Sequence, residues 1–301
     1  MYAEQGHRID YKALLDQIRL NLPTLPTIVN ELTNVLNNPD TATFQVEELM
    51  TADQSLTMKI LRVANTAFYR GAREKVSDAG EAIGTLGFEK IRNVILTSSV
   101  FEMFSGPSAE RKFSLEDLWK HSLGVAVASG SITKFLGRSG HDRAYTCGLV
   151  HDIGKVARYK LNEEEFLADC QYALDHDMEF HRAELANQTP RHDYLGYLIC
   201  KNWGLSRFVE AVVRWHHEPN PEHRTGVHGG ELHEVVDVVT LANWAAHVSK
   251  FGFSGHNKAV APSDALLSRL CLVRDQLPQL LESVQRELES AEDFVKVIER
   301  D

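Results

Sequence analysis

The sequence predicts an all-α protein, on two observations. Apolar residues recur three and four positions apart in nearly every segment, a spacing that gathers them on one face of a helix turning once per about 3.6 residues. No stretch alternates apolar and polar residues as a half-buried strand does. The expected architecture is a multi-helix bundle with an N-terminal helical subdomain.

Residues 8 to 22 read as a short amphipathic helix, ended by Leu22-Pro23-Thr24-Leu25-Pro26 because proline cannot supply an interior amide donor. Leu25, Ile28, Val29, Leu32, Val35 and Leu36 form the next helical face, stopped by Asn37-Asn38-Pro39. Thr43 caps a run with Phe44, Val46, Leu49 and Met50, and Asp53 caps one with Leu56, Ile60, Leu61 and Val63. Ser77 or Asp78 starts a helix through Ala82, Ile83 and Leu86. Gly87 suits its left-handed end, and Phe88, Ile91, Ile95 and Phe101 continue beyond it. Ser105-Gly106-Pro107-Ser108 is the expected boundary between the two halves. In the second half, helices are expected over Leu118 to Phe135, through His151, over Glu163 to Leu174, through His192, over Phe208 to His217 and over Leu232 to Val248. Gly226 to Gly230, Gly252 to Gly255 and Pro262 mark loops, and residues 263 to 298 supply closing helices.

Composition narrows the function classes. An apolar fraction of 43% with 25% charged residues is that of a globular protein, and a formal charge of −10 argues against charge-driven binding to nucleic acid or anionic membrane. The helix-glycine-helix around Gly87, followed by Lys90 and Arg92, is a weak helix-turn-helix pattern that any helical bundle can produce. No apolar run approaches the ~18 residues of a membrane span, and the first residues lack a signal peptide's basic and apolar regions. A cytoplasmic location is therefore expected. Cys147, Cys170, Cys200 and Cys271 form no Cys-x-x-Cys pair and read as free thiols, with Cys147 close enough to His151 to be a redox-sensitive neighbour.

Histidine is the informative residue. Of the 14 in the chain only His7 precedes residue 120. His-Asp occurs four times, yet only His151-Asp152 has an apolar lead-in, Gly148-Leu149-Val150, and an Ile153-Gly154-Lys155 exit. Placed on a helix, Lys155 stacks over both His151 and Asp152, and the two carboxylate oxygens of Asp152 can reach separate ions. Further donors follow at His121, at His192 in Arg191-His192-Asp193-Tyr194-Leu195-Gly196, and at His216-His217 before Glu218-Pro219. Each alone reads equally well as a surface or hydrogen-bonded histidine.

Together and in this order these residues resemble the HD phosphohydrolase superfamily, and the chain is similar to its HDOD branch (HD-related output domain) over about residues 18 to 255. Leu22 to Pro26, the run from Leu61 to Tyr69, and Ala82-Ile83-Gly84-Thr85-Leu86-Gly87 add to the likeness. The resemblance implies an HD-domain-like bundle. It would divide into an N-terminal helical part (1–106), a metal-capable part (107–255) and closing helices (256–301). It also implies one or two divalent ions. His121, His151 and Asp152 would hold the first, and Asp152, His192, His216 and His217 the second, with Asp117 orienting His121 or joining the set. Such donors suit iron, manganese, zinc or nickel.

Two departures qualify the likeness. Catalytic relatives place an aspartate where this chain has Asn243, and the related HD-GYP domains carry a Gly-Tyr-Pro motif that Glu218 to Gly226 lacks. The expected function is a bacterial-type cytoplasmic signalling protein that acts by binding a signalling protein or a small nucleotide ligand, apart from membrane and nucleic acid. The alternative is a metal-dependent phosphohydrolase on a nucleotide or cyclic dinucleotide, with Asp152 and Lys155 in catalytic roles.

Overall fold

A computed structural model describes residues 9–21, 45–47, 54–70, 75–88, 90, 91, 93, 95, 97 and 113–298, and all regular structure among them is helical. The N-terminal part contains α1 (Tyr11–Asn21), α2 (Gln54–Ala64), α3 (Ala67–Arg70) and α4 (Ala79–Leu86). The remainder begins with α5 (Leu115–Phe135), α6 (His141–Val150), α7 (Ile153–Leu161), α8 (Glu163–Asp175) and α9 (Phe180–Asn187). It closes with α10 (His192–Asn202), α11 (Arg207–Trp215), α12 (Gly230–Val248), α13 (Asp264–Arg269) and α14 (Leu277–Ile298). The Leu22–Pro26 motif, the helix expected from Leu25 to Leu36, the Asn37–Pro39 stop, the Thr43 and Asp53 caps, Arg92, Phe101 and the break at 105–108 lie outside the described residues.

Local chemistry explains the element ends. Asp78 caps α4, accepting from Glu81 N at 2.8 Å, and Gly87 closes it at φ 80° while its N–H returns to Ile83 O. That φ is costly for any residue with a Cβ. Asn65, inside the Leu61–Tyr69 run, clamps a distant loop: its Nδ2 donates to Val76 O at 2.8 Å and its Oδ1 accepts from Val76 N at 2.9 Å.

α5 is the axis of the molecule. It is buried nearly all round, from Leu118 to Thr133, and packs against α6, α12 and α14. Small residues let its neighbours approach closely, and two of its hydroxyls are satisfied within the helix: Ser129 donates to Val125 O at 2.7 Å and Thr133 to Ser129 O at 2.8 Å. α14 lies against α5 and also reaches α2 and α3, so the closing helix ties the two parts together, while α1 rests on α7 and α10. No helix among the described residues is long and apolar enough to cross a membrane.

Candidate metal centre

The His-Asp pair does not lie within a helix, contrary to expectation. α6 ends at Val150, and Asp152 (φ −102°, ψ 15°) stands immediately before α7. The reason is packing on both sides. Gly148 presses α6 onto α5, where a Cβ would meet Val125 O at 2.8 Å, and Gly154 presses α7 onto α10, where a Cβ would fall 1.9 Å from His192 O. Two helices bound so tightly to different partners cannot share one axis. The chain therefore turns at His151-Asp152, and the turn projects both side chains into the space between α5, α10, α11 and α12.

Asp152 is the hub. Its Oδ2 lies 3.2 Å from His151 Nε2 and accepts from Lys155 Nζ at 2.8 Å, while its Oδ1 lies 3.3 Å from His192 Nε2 and 3.6 Å from His216 Nε2. His192 reaches this position because Gly154 and Gly196 let α7 and α10 cross at backbone contact. His192 Nε2 also lies 3.1 Å from His217 Nε2.

The other ring nitrogens fix the tautomers. His151 Nδ1 donates to Gly148 O at 2.8 Å, His216 Nδ1 to the carbonyls of Val212 and Val213 at 3.1 Å, and His192 Nδ1 to Glu184 Oε2 at 2.8 Å. With each proton held on Nδ1, the Nε2 lone pairs face the Asp152 carboxylate. His151 Nε2, His216 Nε2 and Asp152 Oδ1 are accordingly buried without a hydrogen-bond partner. Lone pairs converging on a carboxylate repel one another unless a cation lies among them. The donor set therefore fits a divalent ion with nitrogen preference.

The ligand atoms of Asp152, His192, His216 and His217 lie within 4.8 Å of one another, and so do those of His121, His151 and Asp152. His121 Nε2 meets Asn243 Oδ1 at 3.0 Å, so α12 delivers the amide to the first group. Asp117 is placed elsewhere: its Oδ2 accepts from Ser114 Oγ at 2.8 Å at the start of α5, outside both groups. Lys155 is committed within the core, donating to Asp152 Oδ2 and, at 3.1 Å, to Ser254 O.

Several supporting residues escaped the sequence reading. Glu184 accepts from His192 Nδ1, from His192 N at 2.9 Å and from Arg158 Nη1 at 2.8 Å, and Arg158 is held in turn by Asp169 at 2.8 Å. The segment after α12 straps back over α5: Gly252 (φ 73°) sits where a Cβ would meet His121 N at 2.1 Å, and Phe253 N donates to Asp117 O at 2.9 Å. The His247 ring lies tilted against its neighbours, with centroids 4.6 Å from His121 and 4.3 Å from His256, closing that side. Glycine between aromatics at 251–253 was the only hint in the sequence of so close an approach.

Burial sets the charges. It pushes His216 and His247 down to about 4, and His121, His217 and His256 well below 6.5, with neighbouring imidazoles adding to the shift. Burial would also lower His192, but the negative charge of Glu184 and the hydrogen bonds that the ring donates to Asp152 and Glu184 outweigh it and raise the group. Burial opposes ionisation of Asp152 too, yet His151 and Lys155 beside it hold the carboxyl well below its usual range. Cys147 is fully buried, with its thiol pushed up to about 12 by desolvation, so it stays protonated and unreactive.

Comparison with known proteins places this geometry in context. Residues 22–219 match the model of the HDOD domain. An uncharacterized protein of Treponema pallidum (strain Nichols) is 23% identical over 202 residues, 65% of this chain, and the chain spans only 38% of that relative. Among solved structures, an HDOD domain protein of unknown function from Geobacter sulfurreducens is similar with a TM-score of 0.69 and 24% identity, over 96% of each chain. A protein of Marinobacter aquaeolei named for signal transduction gives 0.76 at 16% identity, over 97% of this chain and 67% of that one. One of Shewanella amazonensis carrying a phosphohydrolase name gives 0.64 at 22% identity, over 96% and 97%. These likenesses establish a shared helical fold.

Proposed function

The chain belongs to the HDOD family, and from that premise we propose that it is a cytoplasmic signal-transduction module acting by binding, whose histidine–aspartate centre holds one or two divalent transition ions. His121, His151 and Asp152 would hold one ion, beside Asn243. Asp152, His192, His216 and His217 would hold the other. Ions so held would neutralise Asp152 and fix the elements that carry these donors in one arrangement beneath the surface a partner meets.

The observation that carries the binding role is enclosure. His121, His151, Asp152, Lys155, His192 and His216 are each no more than 2% exposed. A phosphodiester and an attacking water both need a route to Asp152, and Lys155, the natural proton donor, is already engaged by Asp152 and Ser254. Asn243 adds a second argument, because a neutral amide leaves the first ion with one less compensating charge. The partner is accordingly a signalling protein or a small nucleotide, recognised on the surface over this centre.

A phosphohydrolase is the second reading, favoured by one specific feature: two donor groups sharing a single carboxylate, the arrangement suited to clamping both oxygens of an in-line displacement. Turnover of cyclic dinucleotides and nucleotides, with iron or manganese supplied, separates the two. We expect the wild type to turn over no faster than Asp152→Ala, and Asn243→Asp to tighten the first ion. Robust wild-type turnover lost in Asp152→Ala would replace the binding role with hydrolysis.

A further inference from the structure

A third set of donors lies on the outer side of His217. Glu179, His181 and His217 bring one ligand atom each within 4.8 Å of the others, and all three are half-buried, whereas the inner donors other than His217 are buried. The local chain holds them there for no evident structural purpose. Glu179 precedes α9 in the N-cap position but its carboxylate makes no capping bond, unlike Asp78 and Ser114 at α4 and α5. Its ion-pair partner Arg182 stands 3.5 Å away, and that side chain is 65% exposed. His181 stacks on His217 with ring centroids 4.1 Å apart, and its Nδ1 is buried without a hydrogen-bond partner. An orphaned imidazole nitrogen, a carboxylate paired only with an exposed arginine, and a second imidazole are incomplete as packing but complete as a ligand set.

We infer that Glu179, His181 and His217 form a third, outer position for a divalent transition ion. Two imidazoles and one carboxylate leave further coordination sites open, and their half-exposed setting lets water or an exchanging ligand fill them. Nitrogen donors select zinc, iron, manganese or nickel over magnesium and calcium. His217 joins this position to the inner centre: its Nε2 faces His192, so the same ring contacts both donor sets, and it would ligate an ion on each side at once only as an imidazolate, its ring proton released to water. The outer position needs neither Asp152 nor the binding role proposed above, and it can exist whichever of the two readings of the inner centre holds.

Metal stoichiometry tests it directly. Metal-free protein is titrated with Zn2+ and with Co2+, and bound metal is counted by elemental analysis after desalting. Glu179→Gln combined with His181→Gln should hold one equivalent less than the wild type while the remaining equivalents keep their affinity, with a changed Co2+ visible spectrum. A second arm removes the inner centre with Asp152→Ala and His192→Gln. One ion should remain, and adding His181→Gln should release it. Unchanged stoichiometry on removing Glu179 and His181 would overturn the outer position and leave the inner reading standing. Loss of the inner ions alone in the second arm, with the outer ion retained, supports both positions, whereas a wild type holding a single equivalent that is lost only with Glu179 and His181 supports the outer position and counts against the metal reading of the inner centre. Circular dichroism confirms folding of each variant, and because Glu179 and His181 are half-exposed the first arm decides the matter if the inner double variant fails to fold.

Discussion

Glu184 shows what a single residue contributes at this site. It is fully buried and binds His192 twice, through ring and backbone, so it sets both the tautomer and the position of one ligand. Burial would raise its carboxyl, but His192 and Arg158 hold it down and keep it ionised. Glu184→Gln preserves shape and removes the charge, and metal affinity should fall about 10- to 100-fold, as for other buried partners of ligating histidines. Isothermal titration with Zn2+ measures it, and an unchanged affinity would show that Glu184 serves Arg158 alone. The converging donors were legible because all histidines but His7 fall after residue 120 and their order is distinctive. Glu184 was not, since in Phe180–Asn187 it is one carboxylate on an ordinary polar helix and only the tertiary fold turns it inward.

The elements were legible by periodicity, and their junctions were not. The helices at Glu163–Asp175, Arg207–Trp215 and Gly230–Val248 lie within a residue or two of expectation. The break at His151-Asp152 was hidden because apolar spacing continues across it, while its cause lies in contacts of Gly148 and Gly154 with helices remote in sequence. Gly154→Ala tests that cause. A methyl group placed 1.9 Å from His192 O must force α7 and α10 apart. The variant should lose at least about 1–3 kcal/mol, the usual range for overpacking, and should weaken metal binding because His192 moves with α10. Urea unfolding alongside metal titration reads both effects. A variant as stable as the wild type would mean that the crossing of α7 and α10 tolerates a wider spacing.

At the scale of the molecule, the centre makes stability depend on pH, with a sign that the direction of each shift determines. In metal-free protein His216 and His247 take up protons only at about 4, against a usual value of 6.5, and His121, His217 and His256 are also lowered. As pH falls through 6.5 the unfolded chain binds these protons while the folded chain does not, so stability declines between about 6.5 and about 4. His192 acts oppositely, because a raised group adds stability below 6.5 that fades as pH climbs through its folded value, but it is one ring against six, since burial lowers His181 as well. Asp152 contributes at lower pH still: its stabilisation is present above its usual 3.8 and is lost as pH drops toward its depressed folded value. Each net proton changes stability by about 1.4 kcal/mol per pH unit. Metal-free protein should therefore unfold at clearly lower urea at about pH 5 than at about pH 7.5, and Zn2+ at saturating concentration should raise the midpoint at pH 7.5 because it binds the folded site. Equal midpoints at the two pH values would mean that the inward-facing imidazoles already carry protons in the folded state, a condition incompatible with lone pairs directed at a shared ion.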